Sequence, residues 1–566
     1  MGICAMFLLT PPTPLTALRL LCLVSCLVLP SVALGIDPAS QLLREQQSDF
    51  RTLEQQQRLK RWQQREQTAP TSETEASADV DGACWPFPGL RLSGNQVVSS
   101  AALEAAIQPI LRPCMGVADI NRLLVAITRR YVEAGYPAAR PYLASTPHQG
   151  EPLQVVIVEG FVESIALADP SLPLSLRGAF PGMLGEPLRL PDLEQGLDQL
   201  NRLQAFTLSA DLLPGDLPGG SRLVLQPQHV GRRWRLSGTL DNRASETVGR
   251  HRLGLRLGLD SPARLNDALS VSLSTALPGA GGQSQAVALH YSVPYGPWTL
   301  GAMVSRLTYR ATPRTLGRPE GESRFQGLNV NRMLWRNQQG LLSASVRLDQ
   351  KHTLNRLYAR KTLLQSTRLT TLEAGLDLLW LHEGLWNVSL GVSQGLPFLG
   401  ADALPLSRQA PRPDFRKYRA SLLHLRQGRR PADWHWQSLV SLQYSADRLP
   451  ALEQLALSDD LAVRGFRQHY VAGATGALWR NTFSHPLWQP DVAGVDLRAS
   501  AGLDLGWSRY AQGEPSQQLV GGALGLHLNL PHARLRLDHQ RALSAHGPRR
   551  SRLEPGFWVA ELSIDL

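Results

Sequence analysis

From residue 229 onward the sequence alternates in a way that few folds can use. RHRLGLRLGLD places leucine at 253, 255, 257 and 259, with glycine or arginine between them. GGALGLHLNL does the same with Leu524, Leu526, Leu528 and Leu530 against His527 and Asn529. The closing segment FWVAELSIDL sets Trp558, Ala560, Leu562, Ile564 and Leu566 on one face and Phe557, Val559, Glu561, Ser563 and Asp565 on the other. A period of two marks β-strands. A soluble sandwich would need more than one core for the 338 residues from 229 to 566. Here one face is aliphatic or aromatic almost throughout and the other is charged or glycine, which suits a barrel with lipid outside and a polar lumen. At roughly 20 residues per strand and connection, about sixteen antiparallel strands are expected.

The N-terminus reads as an export signal over residues 1–35. Arg19 precedes the apolar run LLCLVSCLVLP, and Ala33–Gly35 offers small residues for cleavage, with Met6 an alternative start. The run is too short for a membrane anchor, and no later stretch reaches eighteen apolar residues, so no membrane helix is expected. Three of the five cysteines, Cys4, Cys22 and Cys26, fall in the signal. The remaining pair, Cys84 and Cys114, is expected to form a disulfide in an oxidising compartment, against the alternative of two buried thiols. The net charge is +11, but the basic residues are mostly single arginines without interleaved aromatics, so nucleic acid is not an expected partner.

Between signal and barrel the chain divides further. Residues 36–66 are rich in helix formers, and 38–66 has only Leu43, Phe50, Leu53 and Trp62 as apolar anchors. A helix polar nearly all round sits in a wet cavity or bridges solvent; a disordered tether is the alternative. Residues 67–82 read as a linker. Residues 83–160 read as a β-α-α-β-β module, with helical spacing at Leu103, Ile107 and Ile110 or Leu111 and again at Ile120, Leu123, Leu124, Ile127 and Val132, and with Gly135 ending the second helix. Residues 161–228 repeat that order, with the helix PDLEQGLDQLNRL opening on proline.

In VDLRASAGLDLGW the outward phase holds Leu503, Leu505 and Trp507, so Gly502, Asp504 and Gly506 face the lumen. A carboxylate in a narrow, partly dry space needs a cation. Arg464, in the loop sequence LAVRGFRQHY, is one candidate if that loop folds inward, with Gly465 permitting the turn. Barrel lumens hold many arginines and acids, and spacing alone leaves the pairing open.

Several blocks resemble one family. The tetrapeptide Val463, Arg464, Gly465, Phe466 and the strand segment Gly502–Gly506 are similar to the paired loop and strand motifs of two-partner secretion outer-membrane transporters (TpsB, the haemolysin-activator type). AGYPAARPYL (134–143), VEGFVESI (158–165), residues 200–225, DNRASETVGR (241–250) and the cysteine pair resemble that family in the same order. The resemblance implies two POTRA domains, 83–160 and 161–228, and a transmembrane barrel, 229–566. It also implies a plug helix over 36–66 and a lumen latch between Arg464 and Asp504. The implied function is export of one large β-helical exoprotein, a haemolysin, adhesin or related protein, captured through its N-terminal secretion domain by strand addition. The other expected partners are outer-membrane lipid and the barrel assembly machinery, and the chain is expected to be a monomer. One departure is the last residue, Leu566, where such strands usually end in an aromatic; this bears on recognition for assembly.

The nearest rival is an outer-membrane insertase of the same superfamily, which usually carries more POTRA modules. A solute porin would need neither modules nor disulfide. An enzyme is not expected: GWSRY (506–510) begins like a nucleophile elbow but lacks the second glycine, and the histidines show no metal-ligand spacing. No cofactor is expected.

Overall fold

The computed structural model describes residues 84–146, 150–245, 247–279, 281–311, 319–337, 339–357, 360–361, 366–405, 410–428, 434–458, 461–467, 470–490, 494–547 and 553–566. The expected signal, the 36–66 helix and the linker lie outside the described residues.

The first module packs helices α1 (Ser100–Ile107) and α2 (Val117–Glu133) on a three-stranded sheet. Its central strand, Leu153–Val158, runs parallel to Leu90–Ser93 and antiparallel to Arg140–Leu143. The helical stripe read from the sequence is the core: Leu103, Ile107, Leu123, Ile127 and Tyr131 meet Val155 and Ile157. Ser99 caps α1 by accepting from the Ala102 amide, and Asp119 accepts from the Gly116 amide at 3.0 Å at the start of α2. Burial and a hydrogen bond to Glu159 push the Tyr131 phenol well above its ordinary range. Cys84 and Cys114 are joined, beside a short ladder that pairs Pro86 with Cys114.

The second module repeats the architecture. Its central strand Gly220–Val230 lies parallel to Phe161–Leu167 and antiparallel to Phe206–Pro214, under helix α3 (Leu190–Asn201). A single helical turn, Leu176–Ala179, supplies the other helix of the order. Four residues are too few for hydropathic period to reveal.

Sixteen strands close the barrel: β1 (Trp234–Asp241), β2 (Arg252–Asp260), β3 (Ala268–Ala276), β4 (Gln283–Tyr295), β5 (Trp298–Arg310), β6 (Glu320–Arg336), β7 (Gly340–Leu357), β8 (Thr367–Leu381), β9 (Leu385–Leu396), β10 (Arg416–Gln427), β11 (His435–Tyr444), β12 (Thr475–Trp488), β13 (Asp496–Arg509), β14 (Ser516–Leu530), β15 (Ala533–His546) and β16 (Phe557–Asp565). A two-residue piece, Arg360–Lys361, extends the edge of β7. Each strand pairs antiparallel with its neighbours, and β16 returns to β1 over five residue pairs, Glu561 with Asp241 through Asp565 with Ser237. Asn242 lengthens this seam: its amide donates to the Ala560 carbonyl, its Oδ1 accepts from the Ala560 amide (2.9 Å) and its Nδ2 donates to the Trp558 carbonyl (3.0 Å).

Leu253, Leu255 and Leu257 of β2 and Leu524, Leu526 and Leu530 of β14 stand exposed on the outer face, and Asp504, Asp538 and Lys351 are buried on the inner one. Exposed Trp234, Tyr295, Trp298 and Trp335 ring one rim, and Tyr418, Tyr444 and Trp558 mark the other. This is the lipid band and paired aromatic girdle of an outer-membrane barrel.

The second module sits on one rim. Arg336, at the end of β6, reaches Glu194 (3.1 Å) and Asp198 (2.7 Å) on α3. The turn after β2 inserts Asn266, whose side-chain amide exchanges two 2.8 Å hydrogen bonds with the Ser175 backbone. Asp260 accepts from the Ala205 amide at 2.9 Å. That rim is periplasmic, and the loops at the opposite end, including the one between β11 and β12, are extracellular.

Candidate functional site: an inward loop pinned to the lumen wall

The loop between β11 and β12 does not stay outside. The described residues between 445 and 474 turn into the lumen through a 3-10 turn, Ala451–Glu453, and a short ladder between Leu455–Ala456 and Ala472–Gly473. Its apolar tip, Leu457, Ala462, Val463 and Phe466, packs against Leu478, Leu519 and Ala542 of β12, β14 and β15. An apolar cluster inside a polar lumen keeps water from the charge beside it.

That charge is Arg464, 2% exposed, facing Asp504 of β13, 0% exposed. Nε donates to Oδ2 at 2.7 Å and Nη2 donates to Oδ1 at 2.6 Å. Nη2 also donates to the Asn481 carbonyl at 2.7 Å, and the Arg464 amide donates to Oδ2 at 3.0 Å. The carboxylate thus accepts three bonds, two of them from a planar fork that fixes direction as well as distance. A buried pair of this kind is weak evidence for stability, but breaking it by removing one partner is costly.

The motif glycines supply room. A Cβ on Gly502 would lie 2.2 Å from Arg464 Nη2, and one on Gly506 would lie 2.8 Å from Val463 Cγ2. Gly465 has φ +94°, and a Cβ there would strike the backbone of Arg541. Its amide donates to Gln540 Oε1 at 3.2 Å. Arg467 donates its amide to Glu554 and lies over the Phe557 ring at 4.1 Å.

Every residue of the loop and strand motifs therefore meets in one place. Sequence reading missed Gly521 of β14, where a Cβ would lie 1.8 Å from the Arg464 carbonyl oxygen. The signal was present, since Gly521 falls on the inward phase of the leucine alternation. It also missed Gln540, which nothing distinguishes from other inward polar residues.

Between α3 and the loop lies a cavity of about 570 Å³, lined among others by Gln199, Asn331, Ser343, Lys351 and Glu453. Elsewhere in the lumen Ser500, His527 and Asp538 cluster, but hydroxyl and carboxylate both approach the same ring nitrogen, Nε2, at 3.3 and 3.1 Å. A catalytic relay needs them on opposite nitrogens. Among the described residues no cluster of His, Cys, Asp and Glu could hold a metal ion.

Residues 219–528 match the family model described as "Haemolysin secretion/activation protein ShlB/FhaC/HecB". The chain belongs to this family. Residues 85–160 match its own type of POTRA domain and 161–214 a second POTRA domain. The family member is 34% identical over 456 residues to the hemolysin transporter protein ShlB of Serratia marcescens, covering 79% of this chain and 80% of the relative. It is 29% identical over 496 residues to the outer membrane transporter CdiB of Escherichia coli, covering 82% and 81%. Its fold superposes on the solved CdiB from Escherichia coli with a TM-score of 0.85 at 26% identity, over 94% of this chain and all of that one. It is an outer-membrane translocator of two-partner secretion with its POTRA modules in the periplasm.

Proposed function

We propose that this transporter captures the N-terminal secretion domain of a large β-helical exoprotein of the haemolysin or adhesin type. The cargo passes through the barrel with the inward loop held by the Arg464–Asp504 latch. The observation that carries the reading is the buried two-point pair between a loop tip and the wall of a closed barrel, where a passive pore needs no such fixture. The cargo class rests on the hemolysin transporters that resemble the chain along most of its length. For capture, the outer strands Arg140–Leu143 and Phe206–Pro214 have no further strand on their far edges among the described residues, and Tyr142, Leu212 and Leu213 are exposed. An open edge with apolar side chains is a template for an added strand. Among the described residues the barrel closes on itself and offers no strand edge to a second copy, in keeping with a transporter that acts as a monomer and is assembled into lipid by the barrel assembly machinery.

The test is secretion of a candidate exoprotein co-expressed with the transporter. Arg464→Asp places two carboxylates together and is expected to abolish export while the barrel remains inserted. Full export by that variant would sink the latch. In planar bilayers, the secretion domain is expected to alter the channel; channels indifferent to it would favour a porin.

A further inference from the structure

The loop carries a second buried charge. Glu453 closes the 3-10 turn at the start of the inward segment and is 3% exposed. Its Oε1 lies 2.7 Å from Lys351 Nζ on β7, and its Oε2 lies 2.7 Å from Lys417 Nζ on β10. Both lysines are buried, at 5% and 4% exposure. Lys417 also donates to the Glu453 carbonyl at 3.0 Å, as does Gln443 at 3.1 Å. Gln443 donates in addition to the Ala474 carbonyl at 3.2 Å, so it ties both ends of the loop to β11. Asp349 stands 3.9 Å from Lys351 and offsets the second positive charge.

We propose that Glu453 is a second positioning residue of the inward loop, and that the loop is a strap with two anchors of opposite polarity rather than a tongue hung from one. At the tip the loop offers the cation and the wall the carboxylate. At the root the loop offers the carboxylate and the wall two ammoniums. The two wall sites lie apart, since β10 is three strands and β7 six strands round the ring from β13. The loop therefore spans the lumen. The reversed polarity has a consequence: Glu453 placed at Asp504 would meet a like charge, and Arg464 placed at the lysines would meet two. Each end fits only its own socket, which fixes the loop's direction across the lumen. Neither anchor alone decides whether the loop stays in. Buried charge-assisted hydrogen bonds hold each end, and cutting one leaves the other with its full set.

Leu461 provides a readout independent of export, because it lines the cavity on the periplasmic side of the strap. Cys84 and Cys114 are disulfide-bonded and the other three cysteines fall in the expected signal, so Leu461→Cys adds one free thiol to the exported chain. A bulky maleimide–polyethylene glycol reagent added outside intact cells reaches this thiol only after the strap leaves the lumen. Arg464→Ala alone and Glu453→Gln alone are each expected to label as slowly as the parent. The double variant is expected to label at least about tenfold faster, because each lost anchor removes charge-assisted bonds worth a decade or more. Fast labelling of either single variant, or slow labelling of the double variant, overturns the proposal. Assembly is checked by heat-modifiable gel mobility. If the double variant does not assemble, Arg464→Ala combined with Glu453→Lys, Lys351→Glu and Lys417→Glu decides. Reversing the root anchor is expected to restore slow labelling, and fast labelling or failure to assemble counts against the strap.

Discussion

Gly521→Ala tests the seating of the loop without touching any charge. The added Cβ would lie 1.8 Å from the Arg464 carbonyl oxygen, 2.9 Å from its carbon and 3.0 Å from Val463 Cγ1. The nearest obstacle is backbone, so no side-chain rotation relieves it. Restoring ordinary contact means a retreat of the loop by roughly 1.5 Å, which stretches bonds of 2.6–2.7 Å beyond the reach of a hydrogen bond. Loss of the buried pair costs about 3–5 kcal/mol, so the population with the tip latched falls roughly a hundredfold to a few thousandfold, while the Glu453 anchor still holds the root of the loop in the lumen. Alanine in a strand is otherwise no worse than glycine, so the barrel should assemble normally. Hydrogen exchange at the Arg464 amide of the purified protein reads the outcome, because the seated amide donates to Asp504 at 3.0 Å. Gly521→Ala is expected to exchange faster there and to export poorly. Gly279→Ala, with nothing within 4 Å of its Cβ, is expected to behave as the parent. Parental exchange together with full export by Gly521→Ala would refute this account of the seat.

Three further outcomes are expected. Cys84→Ser opens a ring spanning 30 positions; the loss is about 3–4 kcal/mol in the chain-entropy model, and a first module that melts unchanged on reduction contradicts it. Arg336→Glu places a third carboxylate against Glu194 and Asp198 and should cost about 3–5 kcal/mol of docking; distances between spin labels on the second module and the barrel should broaden, and an unaltered distribution argues against the clamp. The Glu163 carboxyl is held below its ordinary range by the Leu217 amide and then the Asp216 amide. Its folded value is depressed, so its contribution is present above the unfolded value and lost as pH falls through the folded one. Exchange of those two amides in the tandem periplasmic modules should quicken in acid beyond the intrinsic trend, and Glu163→Gln should abolish the dependence.

The barrel and the inward place of Asp504 were legible for the same reason, strand parity, whereas its pairing with Arg464 rested on the family resemblance. Once Leu503 and Leu505 face lipid, Asp504 must face inward, and the flanking glycines announce a neighbour that needs space. The helical stripes of the first module were equally plain, though Val132, grouped with the buried positions by spacing, is exposed. The Glu453 anchor was not legible. RLPALEQLAL carries no periodicity, and Lys351 and Lys417, though on the inward phase, belong to strands whose angular separation the sequence does not encode. Contacts across a ring depend on how many strands close it. The docking of Arg336 and Asn266 was hidden likewise, since both serve an interface between segments far apart in the chain.

The joint between β16 and β1 has a bearing on how the ring is made. It unites segments more than three hundred residues apart (Asp241 with Glu561) across only five paired positions. Closing so long a loop carries the greatest entropic penalty of any pairing in the barrel, and so short a ladder returns little until it is complete. This joint is expected to form last. Bare backbone could also form it one step out of place, and a slip of one residue turns every side chain to the wrong face. Asn242 guards against that error. Its side-chain amide copies a peptide group and finds Trp558 and Ala560 in one alignment only, so the ring carries its own stop against sliding.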